Sequence, residues 1–245
     1  VDVEVLSGDD RDTFVQEPEV ATVLAFRTTA ERRSDLVVVG PRTRGSYNPG
    51  KPLPVCIRVR LRPGRARELF GVPVRELADR AVPLTDLWGR AARDLTSRLV
   101  DAGADTGLAV ARLTALLRSV SSVDGLLVDG LLVDSAMRQM ELPGARLSEV
   151  ADRLGVSERH LRNLFAREVG LSPKHFARIK RVRTVLALAG SRPWAEVASR
   201  AGFFDQAHMI GDFRSMMGVS PGAFLAGRLP AVTPCGYVSP VTLRS

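Results

Sequence analysis

Two stretches of the chain repeat one another at almost constant spacing. Glu149-Val150-Ala151, Arg153 and Gly155 recur 47 residues later as Glu196-Val197-Ala198, Arg200 and Gly202. Phe165, Gly170, Ser172-Pro173 and Phe176 recur 48 residues later as Phe213, Gly218, Ser220-Pro221 and Phe224. A step of one residue falls between Gly202 and Met209, where a turn absorbs an insertion at little cost. The chain therefore carries a duplicated supersecondary unit.

Each copy meets the physical requirements of a helix-turn-helix. In the first, Ala151 is small enough to let two helices cross closely, Gly155 supplies the positive φ that ends the first helix, and Ser157 caps the second. Leu161, Leu164 and Phe165 face inward, which leaves Arg159, His160, Arg162, Asn163 and Arg167 nearer the outer surface. In the second copy Ala198, Gly202 and the cap Asp205 repeat the framework, Met209, Phe213 and Met216 turn inward, and Gln206, Ala207, Gly211 and Arg214 face outward. A helix from 172 to about 188, carrying Lys174, Arg178, Lys180, Arg181 and Arg183, joins the two units. Trp194 reads as a core or helix-start residue, and Phe203 and Phe204 read as core.

Charge separates the repeat from what precedes it. Residues 1–143 hold 20 basic and 20 acidic side chains, whereas 144–228 hold 14 and 7, so nearly all of the net charge of +8 lies in one segment. A basic module attached to a neutral one is the electrostatic footprint of a segment that meets a polyanion. Outward Arg suits guanine edges or phosphates, and Asn or Gln can read adenine bidentately.

Ahead of the repeat the pattern is different. Residues 20–27, 35–39 and 55–61 are β-branched runs separated by Pro41, Gly45, Asn48-Pro49-Gly50 and Pro52, the pattern of antiparallel sheet. From 65 to about 103 the period becomes helical, with Leu84, Leu87, Trp88, Ala91, Leu95 and Leu99 on one face, and 108–120 continues as an amphipathic helix. Asp-Gly-Leu-Leu-Val-Asp occurs at 124–129 and again at 129–134, opening a helix that runs to about 141 and whose apolar stripe suits its own domain or a second chain. Beyond Leu229, Pro230, Pro234 and Pro240 mark an irregular tail.

Residues 124–228 resemble the C-terminal DNA-binding domain of the AraC family of transcription regulators. The resemblance rests on the stretches 147–176 and 194–224, on Gly202-Phe203-Phe204-Asp205-Gln206-Ala207-His208, and on both Gly-x-Ser-Pro turns. The N-terminal part, with Leu36-Val37-Val38-Val39-Gly40-Pro41, Arg60-Leu61-Arg62-Pro63-Gly64 and Val82-Pro83-Leu84, is similar to cupin-like sensor domains attached to some members. The fold implied is α+β: an antiparallel β-rich cupin-like domain with a C-terminal helix (1–103), a linker helix (104–123), an all-α double helix-turn-helix domain (124–228) and a tail (229–245). Its units span about 147–169 and 194–217, with recognition helices at about 158–167 and 206–216.

The function implied is sequence-specific binding of double-stranded DNA by a cytoplasmic transcription regulator, modulated by a small-molecule effector or by dimerisation through the N-terminal domain. RNA polymerase and a second copy of the chain are further partners to expect; no membrane and no cofactor are. Arg159, Arg162, Asn163, Gln206, Ala207 and Gly211 are the candidate base readers. Ser157, His160, Arg167, Lys174, Arg178 and Arg214 are the phosphate candidates. Gly211 departs from the family, many of whose members carry Arg or another polar reader there. The alternative is an architectural DNA-binding protein whose N-terminal domain dimerises and senses nothing.

Enzyme chemistry finds few of its requirements. All three histidines, His160, His175 and His208, lie in the basic segment, so the N-terminal domain lacks the imidazoles that cupin metal sites use. Cys56 has no His in its own domain to activate it and reads as buried core. Cys56 and Cys235 lie too far apart in sequence for a metal or redox motif, which suits a reducing compartment. The first ten residues have neither the basic start nor the apolar run of a secretory signal.

Overall fold

The computed structural model describes residues 2–8, 14–29, 33–49, 53–62, 64–103, 105–119, 124–142 and 144–232. Seven strands lie among the described residues, six of them ahead of the first helix: β1 (Asp2–Gly8), β2 (Phe14–Gln16), β3 (Val23–Thr28), β4 (Ser34–Val39), β5 (Ser46–Asn48) and β6 (Leu53–Arg60), with β7 (Ala81–Pro83) following later. Five of them form one antiparallel sheet in the order β1-β6-β3-β4-β7, and β2 pairs with β5 as a separate ribbon. The antiparallel sheet is the one expected from the β-branched runs. Along β3, Val23 to Phe26 are all buried, so this inner strand shows no alternation, as a strand covered on both faces should not.

Helices α1 (Arg65–Phe70), α2 (Leu84–Trp88), α3 (Arg90–Val100) and α4 (Thr106–Ser119) cover the sheet, with a 3-10 turn at Val74–Glu76. The helical period read over 65–103 is thus interrupted by a strand, β7, which pairs with β4 through Val82 and Val38. Within the stretch 104–123, expected as a linker helix, α4 packs on the sheet. Ala109, Leu113 and Leu117 of α4 are buried in the same core as Leu24, Phe26, Val38, Ile57 and Val59. The apolar stripe of that helix is spent on the sheet, and its end at Val120 lies outside the described residues.

A second core begins with α5 (Asp124–Met140), whose Val133, Ala136, Met137 and Met140 are buried against the helices that follow. The duplicated hexapeptide therefore continues into a face that packs on its own domain, although Val128 and Leu131 stay exposed. After it come α6 (Leu147–Arg153), α7 (Glu158–Glu168), α8 (Pro173–Leu188), α9 (Trp194–Arg200), α10 (Gln206–Met217) and α11 (Pro221–Leu225). Tyr47 of the ribbon belongs to this second core as well.

The two cores meet along a polar seam. Glu19 is 2% exposed, and it takes Arg60 of β6 at 2.7 Å and Arg183 of α8 at 3.1 Å. Burial pushes the neighbouring Arg42 down to about 10, Arg58 pushes the same way, and Glu19 holds it up. Glu168, at the end of α7, is buried between Arg67 of α1 at 3.1 Å and its neighbour Arg167 at 2.8 Å. The ribbon reaches the far end of α10, where the Gly45 N–H donates to the Met216 carbonyl (2.8 Å) and the Tyr47 hydroxyl to that of Met217 (2.6 Å).

Gly170 shows how close the seam is. It has φ +76°, and a Cβ there would lie 2.7 Å from the Val74 carbonyl oxygen. Gly155 has a similar φ of +67° but open space around it. Gly155→Ala should therefore cost about 1–2 kcal/mol for the left-handed backbone alone. Gly170→Ala should cost measurably more, because two backbones must also part. Urea denaturation of both variants checks the order.

Candidate nucleic-acid interface

The two copies of the repeat form equivalent turns and caps. In the first, Gly155 (φ +67°) breaks the chain between α6 and α7, and the Val156 N–H donates to the Ala151 carbonyl at 3.0 Å. In the second, Gly202 (φ +74°) does the same between α9 and α10, and the Phe203 N–H donates to Ala198 at 2.9 Å. Both caps form as expected: Ser157 Oγ accepts from the His160 N–H at 3.1 Å, and Asp205 Oδ1 from the His208 N–H at 2.7 Å. Downstream, Ser172 and Ser220 cap α8 and α11 ahead of a proline. The aromatic pairs repeat too, with Phe165 edge-on to Phe176 at 5.7 Å and Phe213 edge-on to Phe224 at 5.9 Å.

Leu161, Leu164 and Phe165 are buried beneath α7, and Met209, Phe213 and Met216 beneath α10. On the opposite sides Arg159, Arg162 and Asn163, and Gln206, Ala207, Gly211 and Arg214, are exposed. The side chains of Arg159, Asn163, Gln206 and Arg214 have no hydrogen-bond or ion-pair partner among the described residues. Arg162 pairs with Glu158 one turn back, an exposed contact worth a few tenths of a kcal/mol and readily exchanged for another acceptor. His160 is exposed beside the cap, and a Cβ added at Gly211 would meet nothing within 4 Å.

Two of the phosphate candidates are placed differently. Arg167 is turned toward the seam, bonded to Asp129 and Glu168, so its charge is already spent inside the protein. Arg178 lies 2.9 Å from Asp212 of α10, which also draws Arg181 at 3.5 Å and His208 at 3.9 Å. Lys180 pairs with Glu141 and Arg183 with Glu19. Of the basic side chains on α8, Lys174 alone stands exposed, and the helix serves mainly as an internal strut.

The reading of two aromatic residues as core divides. Phe203 is buried, with His208 edge-on at 5.3 Å and the Arg181 guanidinium 4.9 Å above its ring. Phe204 is 93% exposed. Val156 and Phe203 make equivalent backbone bonds, yet the cap follows Val156 directly and follows Phe203 only after one more residue. Phe204 is thus the insertion that shifts the repeat from 47 to 48. Trp194 is half-buried at the start of α9, as its sequence position implied.

The family model described as "Helix-turn-helix domain" matches residues 150–227. Residues 150–227 are a helix-turn-helix domain of the AraC type. That domain covers about a third of the chain and is its DNA-binding module. No curated protein matches it in sequence. Similar solved structures include the DNA-binding domain of AdpA, a global transcriptional factor, in complex with a target DNA (26% identity, 40% of this chain and 90% of that one, TM-score 0.36). Two others are the C-terminal domain of AraT, a response regulator from Geobacillus stearothermophilus (24%, 45% and 94%, 0.36) and ToxT from Vibrio cholerae (13%, 92% and 97%, 0.43). Among the described residues no helix is long and apolar enough to cross a membrane.

The open surroundings of Gly211 set a further expectation for the AraC-type domain. Gly211→Ala should raise stability by about 1 kcal/mol, the intrinsic penalty of glycine in a helix interior. Phe204→Ser, at so exposed a position, should leave the melting temperature within about a degree of the parent. Calorimetric melts of the two variants test both.

Proposed function

We propose that α7 and α10 enter successive major-groove segments of one duplex, so that a single chain reads an asymmetric site. The observation that carries this reading is the set of exposed polar side chains over two buried helix faces. Arg159, Arg162 and Asn163 read base edges from α7, and Gln206, Ala207 and Gly211 face the bases from α10. Ser157, His160, Lys174 and Arg214 hold the backbone. Arg167 and Arg178 take no part, because their partners lie within the protein.

The N-terminal module modulates this reading through the seam, since it grips α7 through Glu168, α8 through Arg183 and α10 through its last carbonyls. A cavity of about 180 Å³ lies in the seam, lined among others by Arg60, Leu61, Ala66, Met137, Glu168 and Val169. It is smaller than most ligand pockets, so an effector entering there would have to be small or would have to part the modules. An N-terminal module that only dimerises is the second reading. The observation in its favour is β1, an edge strand that exposes Val3 and Val5.

Selection of duplexes from a randomised pool by the full chain tests the main reading. A defined asymmetric motif should emerge, with affinity falling steeply as salt releases condensed counterions. Asn163→Ala or Arg162→Ala should cost roughly 1–3 kcal/mol of discrimination at particular base pairs, and Lys174→Ala should weaken all sequences about equally. An unchanged motif in both recognition variants would place those side chains on the backbone. Sedimentation and calorimetry with a metabolite panel separate the second reading: a dimer that binds no metabolite supports it, and a monomer or a bound metabolite overturns it.

A further inference from the structure

The duplicated frame lets the outward positions of the two recognition helices be compared one by one. Leu161 and Met209 are equivalent buried positions, as are Phe165 and Phe213, and the caps Ser157 and Asp205 stand at the same offset. At that offset of 48, Arg159 corresponds to Ala207, Arg162 to Ile210 and Asn163 to Gly211. These three polar side chains are therefore replaced by groups that can neither donate nor accept, Ile210 being half-buried against the second core, while His160 keeps its equivalent in His208. Phe204, the inserted residue, adds a fully exposed aromatic ring at the entrance of the second helix. Gln206 and Arg214 are the further polar side chains left on that face.

We propose that the second unit reads thymine C5-methyl groups, and that Phe204 and Ala207 supply the apolar surface that recognises them. The inference rests on the reading that α10 lies in a major groove. In that groove thymine is the base that presents a methyl, and apolar side chains such as Ala and Phe are the ones that contact it. Gln206, in the first turn of α10, can bond the N6 and N7 edge of an adenine on the same stretch. Gly211 removes the side chain that would otherwise hold the helix off the methyls. The two units thus divide the site by chemistry: hydrogen-bonding edges for α7, an A·T-rich, methyl-bearing stretch for α10. No structural task competes for Phe204, because its ring packs on neither core.

Uracil differs from thymine by that methyl alone, so the test is a substitution in the DNA. The duplex selected by the full chain is remade with uracil at each thymine in turn, and affinity is measured by fluorescence anisotropy. The half-site of α10 is the one whose base preference survives Asn163→Ala. Replacing a contacted thymine there should weaken binding about fourfold, the worth of one buried methyl-sized group, while uracil in the other half-site should change nothing. Phe204→Ala should weaken binding to the thymine duplex and should abolish the difference between thymine and uracil at the base pair it faces. Full affinity after every thymine under α10 has become uracil overturns the inference and leaves DNA reading intact. Failure of the full chain to select any duplex overturns both.

Discussion

A buried carboxylate that draws its partners from two modules is the interaction on which this architecture depends. Glu19 sits at the foot of the sheet with Arg60 beside it, and Arg183 reaches it from the helix between the two helix-turn-helix units. An unpaired charge at such a site would cost several kcal/mol, so neither arginine can leave without penalty. Glu168 repeats the device at the end of the first recognition helix, with Arg67 from the sheet side. The sheet module is consequently fastened to the DNA-binding module at the strut and at a recognition helix together. A shift of the sheet relative to α8 has to be felt at both.

Within the DNA-binding module geometry and chemistry have separated. The turns, caps, buried faces and edge-on phenylalanine pairs are the same in both units, because each of them is demanded by helix crossing and by the satisfaction of backbone groups. The outward faces carry no such demand. They have moved from arginine and asparagine on α7 to alanine and glycine on α10, which is the freedom a duplicated scaffold provides once its core is secured.

Much of this was legible in the chain itself, for physical reasons that also mark where legibility stops. The repeat spacing located both units, and the small, capping and apolar residues within it found their places, because they answer to contacts only a few residues away. The step from 47 to 48 located an insertion but not its direction, so Phe204 read as core when it points to solvent. Arg167 and Arg178 counted toward a basic surface, yet Asp129 and Asp212 lie 38 and 34 residues from them and composition does not reveal such pairings. β7 is three residues long, too short to announce itself within the helical pattern it interrupts, and exists because β4 offers it an edge. The packing of α4 on the sheet was not legible for a similar reason, since an amphipathic stripe does not say which core it will join.

The ribbon gives the boundary between the modules an uneven character. In the chain, the two cores change over between 119 and 124. In hydrogen bonds they do not change over there at all, because the last acceptors of α10, at Met216 and Met217, are served by Gly45 and Tyr47 from the opposite end of the sequence. Beyond its local cap, in which the Gly218 N–H donates to the Arg214 carbonyl, the second recognition helix is thus completed by residues some 170 positions upstream. Its final turn is as much a tertiary element as a local one. In a chain emerging in order from synthesis, the donors for that last turn are already made when α10 appears, and it is the sheet module that must be folded to present them.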